Sequence, residues 1–171
     1  MIRLEGERVV LRPFAPEELE AVWEYRSVGS VVGSASEKER VLQRLRQSGR
    51  WIDGRLDLAI EAEARVVGNI DARRTALPPG VFALGIGLFR SADRGRGWGT
   101  ESVRLLTDHL FALERAARVE ASTDVANAAM RRVLEKVGFA QEGILREFMP
   151  GRGGGRDDYV LYAITRRDHE S

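Results

Sequence analysis

The chain contains no cysteine. That excludes disulfides, a thiolate nucleophile and cysteine-ligated metal, and it suits a reducing cytoplasm. Histidine is scarce: His109 and His169 are the only two in 171 residues. Neither has company at metal-ligand spacing, so no metal is expected. No apolar run approaches the roughly 18 residues that a membrane span needs. The opening "MIRLEGERVVLRPF" also lacks the apolar core of a signal peptide. An excess of one charge is missing too, since 27 basic residues face 26 acidic ones. No global field advertises nucleic acid, so any anion site must be local. The expectation is a single soluble, cytoplasmic domain over residues 1–171, monomeric or homodimeric, with 43% hydrophobic residues for its core.

The patterning predicts a mixed sheet with helices, an α+β or α/β fold. "ERVVLRPF" reads as a strand stopped by Pro13 and Pro16. Helices follow over 16–27 and 36–49, the second with Val41, Leu42 and Leu45 in one stripe and Ser36–Glu39 at capping-box spacing. "LDLAIEAEA" alternates, with Leu56, Leu58 and Ile60 on one face and Asp57 and Glu61 on the other. "RVVGNIDARR" pairs with it in a hairpin about Ala64, and "VFALGIGLF" follows the break at "LPPG". A helix is expected from about Gly97 to Arg115, with Val103, Leu106, Leu110 and Leu113 on one face. "RVEAST" is a strand, 127–137 a helix ended by Gly138, and "FAQEGILREFM" and "DDYVLYAIT" are strands joined by "PGRGGGR".

The stretch "RSADRGRGWGTES" joins a strand to a helix with three glycines and three arginines. The first amides of a helix lack partners inside it and carry partial positive charge, so they suit a phosphate. Gly95, Gly97 and Gly99 admit an anion to bare backbone, Arg94 and Arg96 add charge, and Thr100 adds a hydroxyl. The bland alternative is a tight turn with solvated arginines. No lysine-serine or lysine-threonine pair closes the loop, which excludes a Walker nucleotide site. The glycines run G-x-G-x-G, which disfavours a dinucleotide fingerprint despite Glu120 about twenty residues on. An arginine-glycine RNA-binding tract is weaker still, because such tracts are long and disordered. Upstream, Gly85 and Gly87 share one face of their strand and mark a close approach by a ligand or another element. Downstream, Asn127 stands where an N-cap belongs, or where a side chain reaches a ligand amide.

Together these residues resemble the GNAT superfamily of N-acetyltransferases. Arg94, Gly97 and Gly99 meet its acyl-CoA loop; Asn127 with Glu135, Lys136, Gly138 and Phe139 meet its later motif. "EGILRE" with Asp158 and Tyr162, and the opening "LEGERVVLRPF", are similar to the Rim-type branch, which acetylates protein N-termini. The resemblance covers essentially the whole chain. It implies the GNAT fold, a mostly antiparallel splayed sheet flanked by helices, and acetyl-CoA as co-substrate. The pyrophosphate would sit on Arg94, Gly95, Arg96, Gly97, Trp98, Gly99 and Thr100, with Asn127 as a further contact. The pantetheine arm would lie along Gly85 to Phe89, and a backbone N–H near Leu88 would hold the oxyanion.

The chain departs from the family where protons are handled. Relatives carry glutamate, serine and tyrosine at positions that here hold Ala83, Met130 and Leu134. Asp71, Glu61 and Asp124 are the remaining candidate bases, each read first as a solvated strand carboxylate and second as a catalytic base. Trp23, Tyr25 and Trp51 read as core aromatics or pocket lining. The resemblance therefore implies acetyl transfer to a primary amine in a ternary complex. A protein or peptide α-amine comes first, a small amine, amino acid or antibiotic second, and a non-catalytic acyl-CoA-binding module third.

Overall fold

The computed structural model describes residues 1–27, 35–151 and 153–171. Its eight strands are β1 (Leu4–Glu5), β2 (Val10–Arg12), β3 (Arg55–Ala62), β4 (Arg65–Arg74), β5 (Val81–Leu88), β6 (Arg118–Asp124), β7 (Ala140–Pro150) and β8 (Arg156–Thr165). The helices are α1 (Leu19–Ser27), α2 (Ala35–Leu45), α3 (Trp98–Ala112), α4 (Ala128–Val137) and α5 (Arg166–His169). The strands hydrogen-bond in the order β1-β2-β3-β4-β5-β6-β8-β7. The sheet is mixed because β5 and β6 run parallel while β2–β3, β3–β4, β6–β8 and β7–β8 are antiparallel.

The chain divides into two compact units, Met1–Arg73 with Gly85–Leu105, and Arg74–Leu84 with Leu106–Ser171. In the first, β3 and β4 close a hairpin at Glu63 and Ala64, whose φ values of 51° and 58° match a type I′ turn. Leu56, Leu58 and Ile60 are buried on one face of β3, as alternation predicts. The other face is covered as well: Ala59 packs with Phe14, Leu19, Val22, Val41, Leu42 and Leu45 beneath α1 and α2. Asp57 on that face is only 4% exposed. Alternation identifies the two faces of a strand but not which of them another element covers.

In the second unit, β5 pairs with β6 over Val81–Ala83 against Arg118–Glu120. Gly138 ends α4 at φ 106°, the left-handed stop that its position predicts. The β7–β8 turn is the expected glycine hairpin, with Gly151 N–H donating to Gly155 O at 2.8 Å. Three boundaries differ from the sequence pattern. α3 ends at Ala112, so Leu113 lies beyond it and is 72% exposed rather than on the apolar stripe. α2 ends at Leu45 and already includes Ala35, which puts Ser36 inside the first turn. The short β1 and α5 are additional.

Candidate functional site

The loop from β5 to α3 lies wholly in the first unit. After Phe89 a single 3-10 turn, Ser91–Asp93, leads to Gly95 at φ 75° and Gly97 at φ 82°. Only glycine adopts those angles without strain, which is why the sequence alternates glycine there. A Cβ at Gly95 would meet nothing within 4 Å, so that side of the loop is open. The first intrahelical bond runs from Glu101 N–H to Gly97 O at 3.1 Å. The amides of Trp98, Gly99 and Thr100 therefore precede the helix's own bonding and sit at its positive end.

Two acids flank this helix start, and both are turned elsewhere. Asp93 is buried and grips Arg65 through two bonds, of 2.5 and 3.1 Å. The Arg65 hydrogen bonds hold its carboxyl below the usual range. Glu101 accepts from Arg8 N–H at 2.9 Å and from Arg8 Nε at 3.1 Å. Bonds to backbone and side chain of Arg8 outweigh its burial, and its carboxyl also lies low. Neither carboxylate occupies the place an anion would take.

The expected residues divide by role. Arg94 is exposed and has no ion-pair partner among the described residues. Arg96 is engaged: it pairs with Glu63 at the β3–β4 turn and stacks 4.1 Å from the Trp98 ring centroid. The Trp98 indole is buried beneath Arg96 and Arg65, so the part of Trp98 that can meet a ligand is its backbone. Thr100 and Gly99 are half-buried in the first turn of α3. Phe89 N–H donates to Val67 O at 2.8 Å. Successive strand amides point to opposite edges, so Leu88 N–H faces away from β4.

Four further residues shape the loop and its strand, and three of them, Arg8, Arg65 and Glu63, had no local sequence signal. The Arg8 guanidinium stands 2.9 Å from where a Gly97 Cβ would be and donates to Arg96 O at 3.3 Å. Arg65 and Glu63 brace the loop from the β3–β4 hairpin. Gly68 of β4 lets β5 come close, since a Cβ there would collide with the Gly87 carbonyl. Gly68 was readable in the way Gly85 was, as glycine inside a strand.

The candidate bases separate clearly. Glu61 pairs with Arg12 at 2.5 Å, and Arg12 also holds Glu18 at 2.7 Å. Asp124, in the second unit, accepts from Ala126 N–H at 2.7 Å and shapes the turn into α4. Asp71 of β4 is buried against Gly85, and its Oδ2 has no hydrogen-bond partner. Burial pushes its carboxyl above the usual range, with Arg55 opposing and Asp57 adding to the rise.

Also in the second unit, Asn127 caps α4 by accepting from Met130 N–H at 3.1 Å and gives Nδ2 to Thr123 Oγ1 at 3.1 Å. Leu134 is fully buried, so that position fills the core. Tyr162 is buried and donates its hydroxyl to Glu135 at 2.8 Å. His109 is buried on α3, while His169 stacks on Phe111 and bonds Asp108 at 2.7 Å. Trp23 packs against the α1–α2 core and Trp51 is half-buried; the Tyr25 side chain and Arg152 lie outside the described residues. Among the described residues no cluster of acids and histidines could hold a metal, and no helix is long and apolar enough to cross a membrane.

The chain is similar to known proteins. A family model described as an acetyltransferase (GNAT) domain matches residues 8–140. A Bacillus subtilis protein, described as the probable N-acetyltransferase YjcK, is 42% identical over 79 residues, which span 46% of this chain and 43% of that relative. The crystal structure of a GNAT-family acetyltransferase from Bacillus anthracis superposes with a TM-score of 0.77 at 22% identity, covering 97% of this chain and 99% of that one. Mycobacterium smegmatis RimJ, solved in complex with CoA-disulfide, superposes with a TM-score of 0.80 at 24% identity, covering 95% and 84%. At those identities the two structural likenesses concern the fold.

Proposed function

The chain belongs to the GNAT acetyltransferase family, and we propose that it carries an acetyl group from acetyl-CoA to the α-amine of a protein or peptide. The observation that carries this reading is the start of α3. Amides 98–100 precede the helix's own bonding, Gly95 is open on its Cβ side and Arg94 is exposed, while Asp93 and Glu101 are paired with Arg65 and Arg8. That donor set fits a pyrophosphate, and the RimJ complex with CoA-disulfide supports the assignment by fold. When bound, acetyl-CoA supplies an acyl group activated as a thioester.

The chain's own residues bind and orient. Arg94, Gly95, Gly97, Gly99 and Thr100 hold the diphosphate, with Arg96 and Trp98 fixing the loop's shape. The edge of β5 from Gly85 to Phe89 offers backbone groups to an extended arm, because pairing with β6 is recorded only as far as Ala83. Leu88 N–H points to that edge and is the donor we assign to the developing oxyanion. Asn127 keeps one amide hydrogen beyond its cap and Thr123 bonds.

The α-amine is favoured over lysine by proton cost. An α-ammonium has a pKa near 8 and a lysine near 10.4. A site with Ala83, Met130 and Leu134 in place of the family's proton handlers suits the less demanding amine. The similarity of "EGILRE", Asp158 and Tyr162 to the Rim-type branch supports the same acceptor.

The test combines calorimetry with acetyl-CoA and thiol release from peptides. Peptides with free N-termini should release thiol; N-terminally blocked peptides bearing lysine should not. Release with free amino acids or aminoglycosides alone would move the acceptor to small molecules. No heat with millimolar acetyl-CoA would overturn the reading.

A further inference from the structure

The turn between β1 and β2 is built to hold one carboxylate, and both turn and carboxylate lie in the first unit. Leu4 and Glu5 pair with Leu11 and Val10, and Gly6 N–H closes the turn by donating to Val9 O at 2.9 Å. Glu101, in the first turn of α3, reaches into it. Its Oε1 accepts from Arg8 N–H at 2.9 Å and from Val9 N–H at 3.4 Å, and its Oε2 accepts from Arg8 Nε at 3.1 Å. A Cβ at Gly6 would collide with Oε1, although the φ of Gly6 lies outside the left-handed region. Glycine at 6 therefore makes room for the acid. The Glu101 side chain is only 12% exposed and the Arg8 side chain 57%, so the acid is enclosed while its cation still faces solvent.

An acid in the first turn of a helix ordinarily stabilises that helix's own positive end. Here Arg8 takes the acid and puts a cation against the loop instead. Its Nη1 donates to Arg96 O at 3.3 Å, and both Nη atoms stand 2.9 Å from where a Gly97 Cβ would be. The guanidinium thus touches the glycine loop, while the carboxylate it neutralises is held in the β1–β2 turn. Arg65 treats Asp93 in the same way, but that carboxylate is buried, so removing its partner would test stability first.

We propose that Arg8 is a positioning residue for the acetyl-CoA site: it holds and neutralises the Glu101 carboxylate, which leaves the start of α3 to a foreign anion. The proposal rests on the acetyl-CoA reading and gives the β1–β2 turn a role in cofactor affinity rather than in the fold alone. Without the guanidinium, the Glu101 charge stands uncompensated in the first turn and opposes the diphosphate. With both side chains neutral, the opposing charge is gone and the amides are again available. With the acid alone removed, a free cation stands against Gly97.

A double-mutant cycle read by calorimetry with acetyl-CoA tests this. Arg8→Gln should weaken binding about tenfold, and Glu101→Gln should tighten it about threefold. The two together should return affinity to within about threefold of the wild type. Arg8→Lys keeps the charge and should lose no more than about threefold. Salt at about 1 M should shrink the Arg8→Gln deficit, because charges are then screened beyond about 3 Å. In turnover with peptides bearing a free N-terminus, Arg8→Gln should raise the KM for acetyl-CoA while kcat changes by less than about threefold. A double variant as weak as Arg8→Gln overturns the proposal, since Arg8 would then act through its own contact with the loop or the anion. Should Arg8→Gln fail to fold, Glu101→Gln decides alone: affinity that is unchanged or lower overturns the proposal and leaves the functional reading standing. Failure of the wild type to bind acetyl-CoA overturns the functional reading itself.

Discussion

Two of the chain's strand-to-helix junctions have opposite character, β5 to α3 and β6 to α4. The second is self-sufficient. Asn127 caps α4, Asp124 closes the turn before it, and Gly138 ends the helix. The first leaves its amides to another partner. Its glycines shape an open loop, and its two acids are paired with Arg65 and Arg8. A helix start that satisfies itself is structural; one from which the nearby carboxylates have been drawn away is prepared for a foreign anion.

The largest expected effect comes from making the first junction resemble the second. Gly97→Asp places a carboxylate at the cap position of α3, beside the Arg8 guanidinium. Acetyl-CoA affinity should fall at least 100-fold, about 2.8 kcal/mol, by calorimetry. Aspartate tolerates left-handed φ better than most residues, and the new cap and Arg8 offset its cost of about 1–2 kcal/mol. The melting temperature should therefore move by only a few degrees, at about 2–4 °C per kcal/mol. Unchanged affinity would remove the anion from this junction.

The converse experiment strips the second junction. Asn127→Ala loses a cap and should cost about 1 kcal/mol, seen as a melting temperature lower by about 2–4 °C. Acetyl-CoA affinity should change only a few-fold, because most of this amide's bonding is already spent on Met130 and Thr123. A large loss of affinity at unchanged stability would make Asn127 chiefly a ligand contact.

The sequence revealed these junctions unevenly. Asn127, Gly138 and the glycine loop were legible because caps, helix stops and positive-φ turns are local chemistry. β3 and α2 were legible from periodicity. The acids' diversion was not, since Arg8 and Glu101 lie 93 residues apart and Arg65 and Asp93 lie 28 apart. Leu113 fits the α3 stripe by period, yet the helix stops before it. Asp57 and Asp71 looked like ordinary polar alternation, because a strand pattern does not record that α1 and α2 lie over the second face. Asp71 was one of three equal carboxylates until its contact with Gly85 set it apart.

The smallest effect concerns Arg96, which by sequence belongs to the anion loop as much as Arg94 does. Its guanidinium is spent on Glu63 and on the face of Trp98. An exposed ion pair of this kind contributes little, commonly under about 1 kcal/mol. Arg96→Ala should therefore lower acetyl-CoA affinity by no more than about threefold, roughly 0.6 kcal/mol. Arg94→Ala in the same titration should cost more, because nothing among the described residues competes for its charge. If Arg96→Ala proves the more damaging of the two, Arg96 leaves Glu63 when the anion arrives. The first junction would then be built by its ligand, and the contrast with the ready-capped second junction would be sharper than the Arg96–Glu63 pair suggests.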